Sequence, residues 1–267
     1  MGFLSTVGSL FGWSRDQPPH SGTFTPSYDD VCQARAILKT LSLPTELVLQ
    51  VLDHAQYWPE HRFLASPESP RVAAAPVGQI SHAVLCLDAG IFSNSTVNPM
   101  RKGGEIFKIK SLEFECVSRD QGWTSEMTRG TFQTSSWLEV SILRRNGDNN
   151  AHSPVPRFVN TWISDPSGLH MSVADQGWHL VKRPESAEQG PQDGEGDFAW
   201  YLQGNQVAVS REGLKYRVVW AENGNEGNEG AGSGEGFLQE LQDGDRILVW
   251  ARAKVCVGFS ESLDLMN

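Results

Sequence analysis

Basic residues are scarce in this 267-residue chain: 22 Lys and Arg stand against 32 Asp and Glu, giving a net charge of −10 and a pI near 5.2. A general nucleic-acid binder needs a basic stripe to displace counterions from phosphates, so this balance excludes that class. The densest basic cluster, Arg101-Lys102 with Lys108 and Lys110, reads as the solvent face of a strand. Cysteine is sparse as well. The four cysteines, at 32, 86, 116 and 256, show no C-x-x-C spacing, which excludes a zinc knuckle or a disulfide ladder and leaves free thiols as the expectation. No apolar run approaches the roughly 18 residues of a membrane span, and no N-terminal stretch joins a basic region to an apolar core and a cleavage site. The expectation is a soluble, cytoplasmic or nuclear protein that is not held at a membrane.

Catalytic signatures are missing too. The seven histidines contain neither H-x-H nor H-E-x-x-H, so a metal site would have to be assembled from distant positions, with His170 and His179 the best placed. There is no G-x-S-x-G elbow and no P-loop, and Gly194-x-Gly196-x-x-Ala199 lies in an acidic stretch rather than between a strand and a helix. No catalytic residue, no metal and no cofactor is assigned.

What the chain does have is a repeated word. Asp120-Gln121-Gly122-Trp123 recurs as Asp175-Gln176-Gly177-Trp178, each after alternating apolar residues (Leu112, Phe114 and Cys116; Leu169, Met171 and Val173). The pattern predicts two related strand-turn units, each ending on a buried indole. Asp120 and Asp175 at equivalent places could form an acid–base pair, or each could bond turn N–H groups. Both readings stay open. Arg119, Arg217, Arg246 and Arg252 stand beside indoles or acids, able either to clamp a ligand or to close ion pairs with Asp120, Asp175 or Asp245. The candidate binding or structural residues are therefore Asp120, Trp123, Asp175, Trp178, Arg246 and Arg252.

Residues 1–27 read as a flexible arm and linker. Phe3, Val7, Leu10 and Phe11 fall on one helical face, as in an amphipathic anchor, but docking against the protein itself or disorder is the preferred reading. Residues 28–66 read as a helical segment. One helix starts near Tyr28 and ends by Thr40, and a second follows Pro44, with Leu43, Leu47, Val48, Val51 and Leu52 on a broad apolar face. Residues 78–257 read as an antiparallel β-sandwich of jelly-roll or galactose-binding-like type. Its expected strands are 81–88, 105–117, 136–143, 158–163, 169–174, 207–209, 214–220 and 246–255. Seven of the nine tryptophans lie between 123 and 250, so indoles are expected to fill the space between two sheets. The apolar phase in 105–117 switches from odd (Phe107, Ile109) to even (Leu112, Phe114), predicting a bulge near Lys110-Ser111 or a crossing between sheets. Residues 183–197 and 221–236, rich in Gly and Glu, are expected to be mobile acidic loops.

Two resemblances add to this. Leu43-Pro44-x-Glu46-Leu47 with the apolar spacing through Val51 resembles the opening of an F-box, which implies docking of Leu43, Pro44, Leu47 and Val51 onto the adaptor subunit of a ubiquitin ligase. Arg119 to Trp123, Gly130-Thr131-Phe132, Ser136-Trp137, the second Asp-Gln-Gly-Trp, Arg217-Val218-Val219-Trp220, Gly244 to Ile247 and Val249 to Ala253 together resemble a family of uncharacterised filamentous-fungal proteins. That resemblance covers most of residues 43–254 and implies a fungal origin and this domain layout, but no catalytic residues. Family members carry a further aromatic strand after Trp250-Ala251-Arg252-Ala253, where this chain has Val255-Cys256-Val257-Gly258 and a polar end. The expected function is a non-enzymatic binding or protein-interaction module for an unknown protein or small ligand. An F-box-type substrate receptor and a carboxylate-dependent hydrolase or isomerase are the alternatives.

Overall fold

The computed structural model describes residues 2–10, 24–65, 72–73, 81–120, 127–147, 154–156, 162–163, 166–190, 196–209 and 213–254. Its strands are β1 (Gly2–Leu10), β2 (Glu60–Leu64), β3 (Ser81–Ala89), β4 (Phe107–Ser118), β5 (Ser136–Arg145), β6 (Trp162–Ile163), β7 (Trp178–Leu180), β8 (Trp200–Gly204), β9 (Leu214–Ala221) and β10 (Arg246–Lys254). The helices are α1 (Tyr28–Thr40), α2 (Thr45–His54), α3 (Val97–Lys102), α4 (Pro166–Ala174) and α5 (Phe237–Glu240). One sheet has the order β2-β1-β4-β9; the other runs β6-β3-β10-β5-β7, with β8 also paired to β5. Most pairings are antiparallel, and the two sheets form a β-sandwich with small N-terminal helices.

Alternation explains the packing between the sheets. Ile109, Leu112, Phe114 and Cys116 of β4 and Tyr216, Val218 and Trp220 of β9 face Leu138, Val140 and Ile142 of β5 and Ile247 and Val249 of β10 across one apolar core. The phase switch in β4 is a bulge: Leu4 of β1 pairs with Ile109 and Ser5 with Ser111, so Lys110 is the extra residue. β4 stays in its own sheet and does not cross to the other.

The other face of the larger sheet is also buried. Ala83, Leu143, Leu248 and Trp250 form a second core with Trp178 and Leu180, covered by Leu169 and Val173 of α4. Among the buried indoles of the described residues, Trp200 and Trp220 belong to the space between the sheets, Trp178 and Trp250 lie in the outer core, and Trp137 is buried outside both clusters.

Several expectations are corrected. Residues 169–174 are helix, not strand: Leu169 and Val173 are buried four residues apart while Met171 is exposed, which is the period of a helix. Residues 207–209 are a turn in which Ala208 has φ of +51°, and the strand of that region is β8. Of 158–163 only Trp162–Ile163 is described, as β6. Gly2–Leu10 are not a flexible arm; they dock on the protein as β1, parallel to β2 and β4, rather than as a helical face. Within 28–66 the helices end at His54 and β2 follows.

The segment 221–236 is folded as well. It bridges to β9 through Val219 and Glu226 and to β8 through Gln203 and Ala231, and Trp220 Nε1 and Trp200 Nε1 donate to the carbonyls of Gly232 and Glu235 at 2.9 Å. Glycine is required where the chain lies flat on neighbours: a Cβ on Gly232 would overlap the Tyr201 carbonyl, and one on Gly234 the Trp220 indole. Within 183–197 the described residues wrap Arg183, whose guanidinium donates to the carbonyls of Gly196 at 2.9 Å and Ala187 at 2.6 Å. Neither described stretch is a free loop.

Candidate functional site

The two Asp-Gln-Gly-Trp words have different settings. Asp120 follows β4, and its Oδ2 accepts the Ala208 N–H at 2.9 Å, pinning the turn with the positive φ. Gln121, Gly122 and Trp123 lie outside the described residues. Asp175 ends α4 and is exposed; Gly177, at φ of +77°, stops the helix with its N–H on the Ala174 carbonyl. Trp178 then enters the outer core, its Nε1 on the Pro154 carbonyl at 3.0 Å and the Arg145 guanidinium 4.9 Å from its ring centre. The second indole is buried as the repeat suggests, but after a helix rather than a strand.

β5 measures how far apart the two carboxylates are. Asn205 Nδ2 joins the Arg119 carbonyl (3.1 Å) to Ser136 Oγ (2.9 Å) at the first residue of β5. Asn146 N–H bonds the Gly177 carbonyl at 2.9 Å just past the last. A ten-residue strand rises about 3.3 Å per residue, so Arg119 beside Asp120 and Gly177 beside Asp175 are anchored on the order of 30 Å apart. Asp120 and Asp175 are not a catalytic pair.

The arginines act as staples, with partners other than those expected. Arg246 Nε holds Asp88 at 2.7 Å, and Arg217 spans Glu113 and Glu226 at 2.8 and 2.7 Å, hydrogen bonds that push its guanidinium pKa further upward. Asp245 takes Arg144 in a two-pronged pair at 2.8 Å. Arg252 and Glu139 pair at 3.4 Å with side-chain exposures of 1% and 0%, Trp137 Nε1 donating to the same carboxylate at 3.1 Å. A buried charge pair of this kind costs desolvation on both sides, so it fixes geometry more than it adds stability. Arg119 is tied in through its carbonyl, which accepts Asn205 Nδ2.

Among the described residues the histidines His170 and His179 bond to other partners. His170 Nδ1 accepts the Leu180 N–H at 3.2 Å and its ring stacks on Phe198; His179 Nδ1 bonds Asn146 Oδ1. Burial and then Arg144 hold the His179 pKa below its ordinary value. Among the described residues no group of three His, Cys, Asp or Glu could hold a metal ion, and no helix is long and apolar enough to cross a membrane. Cys32, Cys86 and Cys116 are free thiols, and burial pushes the Cys116 thiol up to about 12. Two shallow cavities of about 270 and 300 Å³ flank Leu238 and Gln239, one over Phe92 and Phe107 and one over Trp220 and Gly234. Neither includes Asp120, Asp175 or a histidine.

The helices are different, because they present apolar residues to solvent in a pattern. α1 is fixed by a capping box between Ser27 and Asp30, and α2 begins right after Pro44. Val48 and Leu52 of α2 are buried with Val31 of α1 in a small core on which Leu43 also packs. Leu47 and Val51, one turn apart on α2, are each 45% exposed, and Ile37 of α1 and Leu41 just past its end are 58% and 66% exposed. The helix face expected from sequence as one broad stripe is thus split, with half facing inward and half outward. Of the four candidate docking residues, Pro44, Leu47 and Val51 face solvent, and Leu43 supports them from within. Comparison of the chain with family models, with curated proteins and with solved structures finds no match.

Proposed function

We propose that this chain is a non-enzymatic protein-interaction module that docks a partner on the outer face of its α1–α2 hairpin. One observation carries this reading: Leu47 and Val51 are spaced one turn apart and left exposed on a helix whose Val48 and Leu52 already satisfy its own core. Apolar residues at this spacing are how a helix presents anchors to a partner groove, and large exposed apolar side chains grouped on one element mark interaction sites. The separation of Asp120 from Asp175 removes the geometric basis for a carboxylate-pair hydrolase or isomerase. Turnover of any substrate abolished by Asp120→Asn would sink the non-enzymatic reading.

The partner proposed is the adaptor subunit of a cullin-based ubiquitin ligase, with the β-sandwich presenting whatever is recruited, as in an F-box-type substrate receptor. Leu43-Pro44-x-Glu46-Leu47 supports this choice, since Pro44 starts the helix and Leu47 is held outward. A cytoplasmic or nuclear setting and a fungal source accord with such a role and belong to the same proposal. Co-expression with a recombinant fungal adaptor tests it. The two chains co-purify, and Leu47→Asp removes the adaptor while leaving the melting temperature of the exposed-site variant unchanged; a folded chain that never retains the adaptor rules this partner out.

A further inference from the structure

The small core of the hairpin, built on Val31, Val48 and Leu52, is separate from the core between the sheets. The Tyr28 ring of α1 packs against the core between the sheets, and charged pairs supply further ties between hairpin and sandwich. Arg35 of α1 pairs with Glu105 at 2.6 Å, and Tyr28 reaches the same carboxylate at 3.5 Å. Lys110, the extra residue of the β4 bulge, pairs with Asp53 of α2 at 3.2 Å and with Glu222 at 2.8 Å. Glu222 also takes Lys108 and opens the folded 221–236 segment, so one lysine connects helix, sheet and strap.

We infer that these pairs are a latch: the hairpin lies against the sandwich while they are made and swings away from it when they are screened or removed, with the sheets intact. The physical ground is the unequal response of the two kinds of contact to salt. Asp53, Glu105 and Glu222 keep about a fifth to a third of their side chains in water, so these pairs weaken, though less than fully exposed ones, as the screening length falls from about 8 Å at physiological ionic strength to about 3 Å at 1 M. The apolar cores of both parts are strengthened or unaffected by the same change. A junction made of such pairs therefore opens first, as a local event below global unfolding. The latch would let the docking face change its angle to the sandwich, and the inference stands whichever partner docks.

Native thiols read it out. Cys32 is half-buried on α1, one turn beyond Tyr28 at the junction, whereas Cys86 and Cys116 lie in the core between the sheets. Alkylation of each cysteine in the full-length chain is followed by peptide mass spectrometry at ionic strengths of about 0.15 M and about 1 M, for the wild type and for Lys110→Met. The latch predicts a several-fold faster modification of Cys32 in the wild type at high salt and in Lys110→Met already at low salt, with Cys86 and Cys116 protected throughout. A Cys32 rate that is flat in even one of these two arms overturns it. So does parallel labelling of Cys86 or Cys116, which would mean that hairpin and sandwich open as one unit.

Discussion

Asn228 and Gln203 meet amide to amide: Gln203 Nε2 donates to Asn228 Oδ1 at 3.0 Å, and Asn228 Nδ2 donates back to Gln203 Oε1 at 2.8 Å. Gln203 is fully buried in β8, and Asn228 comes from the Gly- and Glu-rich 221–236 segment. Replacing one partner strands a desolvated amide, which costs about 1–3 kcal/mol, whereas removing both leaves no orphaned side-chain amide, only the lost bonds to the Gly230 N–H and the Gly204 carbonyl. Gln203→Leu and Asn228→Leu should each lower stability by about that amount, and the double variant by less than the sum. Urea denaturation of the four proteins in the cycle checks this.

Gly234 combines φ of +61° with an indole where its Cβ would go. Gly234→Ala should cost about 1–3 kcal/mol through strain and overpacking. Glu229→Ala, at an exposed position of the same segment, should stay within about 0.5 kcal/mol. Equal melting temperatures for both variants would show the segment to be loose after all.

The two repeated words give a ranked set of stabilities. Trp178→Ala empties a site in the outer core and should cost about 3–5 kcal/mol. Asp120→Ala removes one side-chain bond to the Ala208 N–H, on the order of 1 kcal/mol, and Asp175→Ala at an exposed helix end should be within about 0.5 kcal/mol of wild type. Thermal melts of the three variants test the order.

Acidification should weaken the fold before carboxylates titrate. Burial holds the pKa values of His61, His82 and His179 below the ordinary 6.5, aided by Arg252 at His82 and by Arg144 at His179. A base with a lowered folded pKa binds fewer protons folded than unfolded, so its stabilising contribution is complete above pH 6.5 and is lost as pH falls through the folded value. Stability should therefore fall as the pH is lowered below about 6.5, and His179→Gln should flatten part of that slope. Denaturation midpoints across this range measure it.

How much of this was legible depended on whether the cause was local. The start of α1 at Tyr28, the start of α2 after Pro44 and the bulge at Lys110 follow from caps and apolar phase, and all three stand in the structure. Leu169, Met171 and Val173 satisfy a period of two and, through Leu169 and Val173, a spacing of four; only the sheet they cover decides between them. β8 has no alternation to read because both of its faces are buried. The 221–236 segment looked disordered because its order comes from Trp220, Tyr201 and Gln203, partners that composition cannot reveal. The exposed face of α2 was half legible: the apolar stripe on the helix is plain, but which of its residues face outward depends on where α1 lies.

The bulge in β4 has an unusual bearing on which changes of chain length the sandwich can accept. With Lys110 excised, Ile109 would be followed by Ser111 and Leu112, and the inward sequence Ile109, Leu112, Phe114, Cys116 would alternate without a break. Shortening the strand by this one residue mends its rhythm, whereas shortening it by Leu112 or Phe114 would turn the apolar side of everything beyond toward water. The sheet can thus lose Lys110 and keep both of its faces, and what disappears with it is the tie to Asp53 and Glu222.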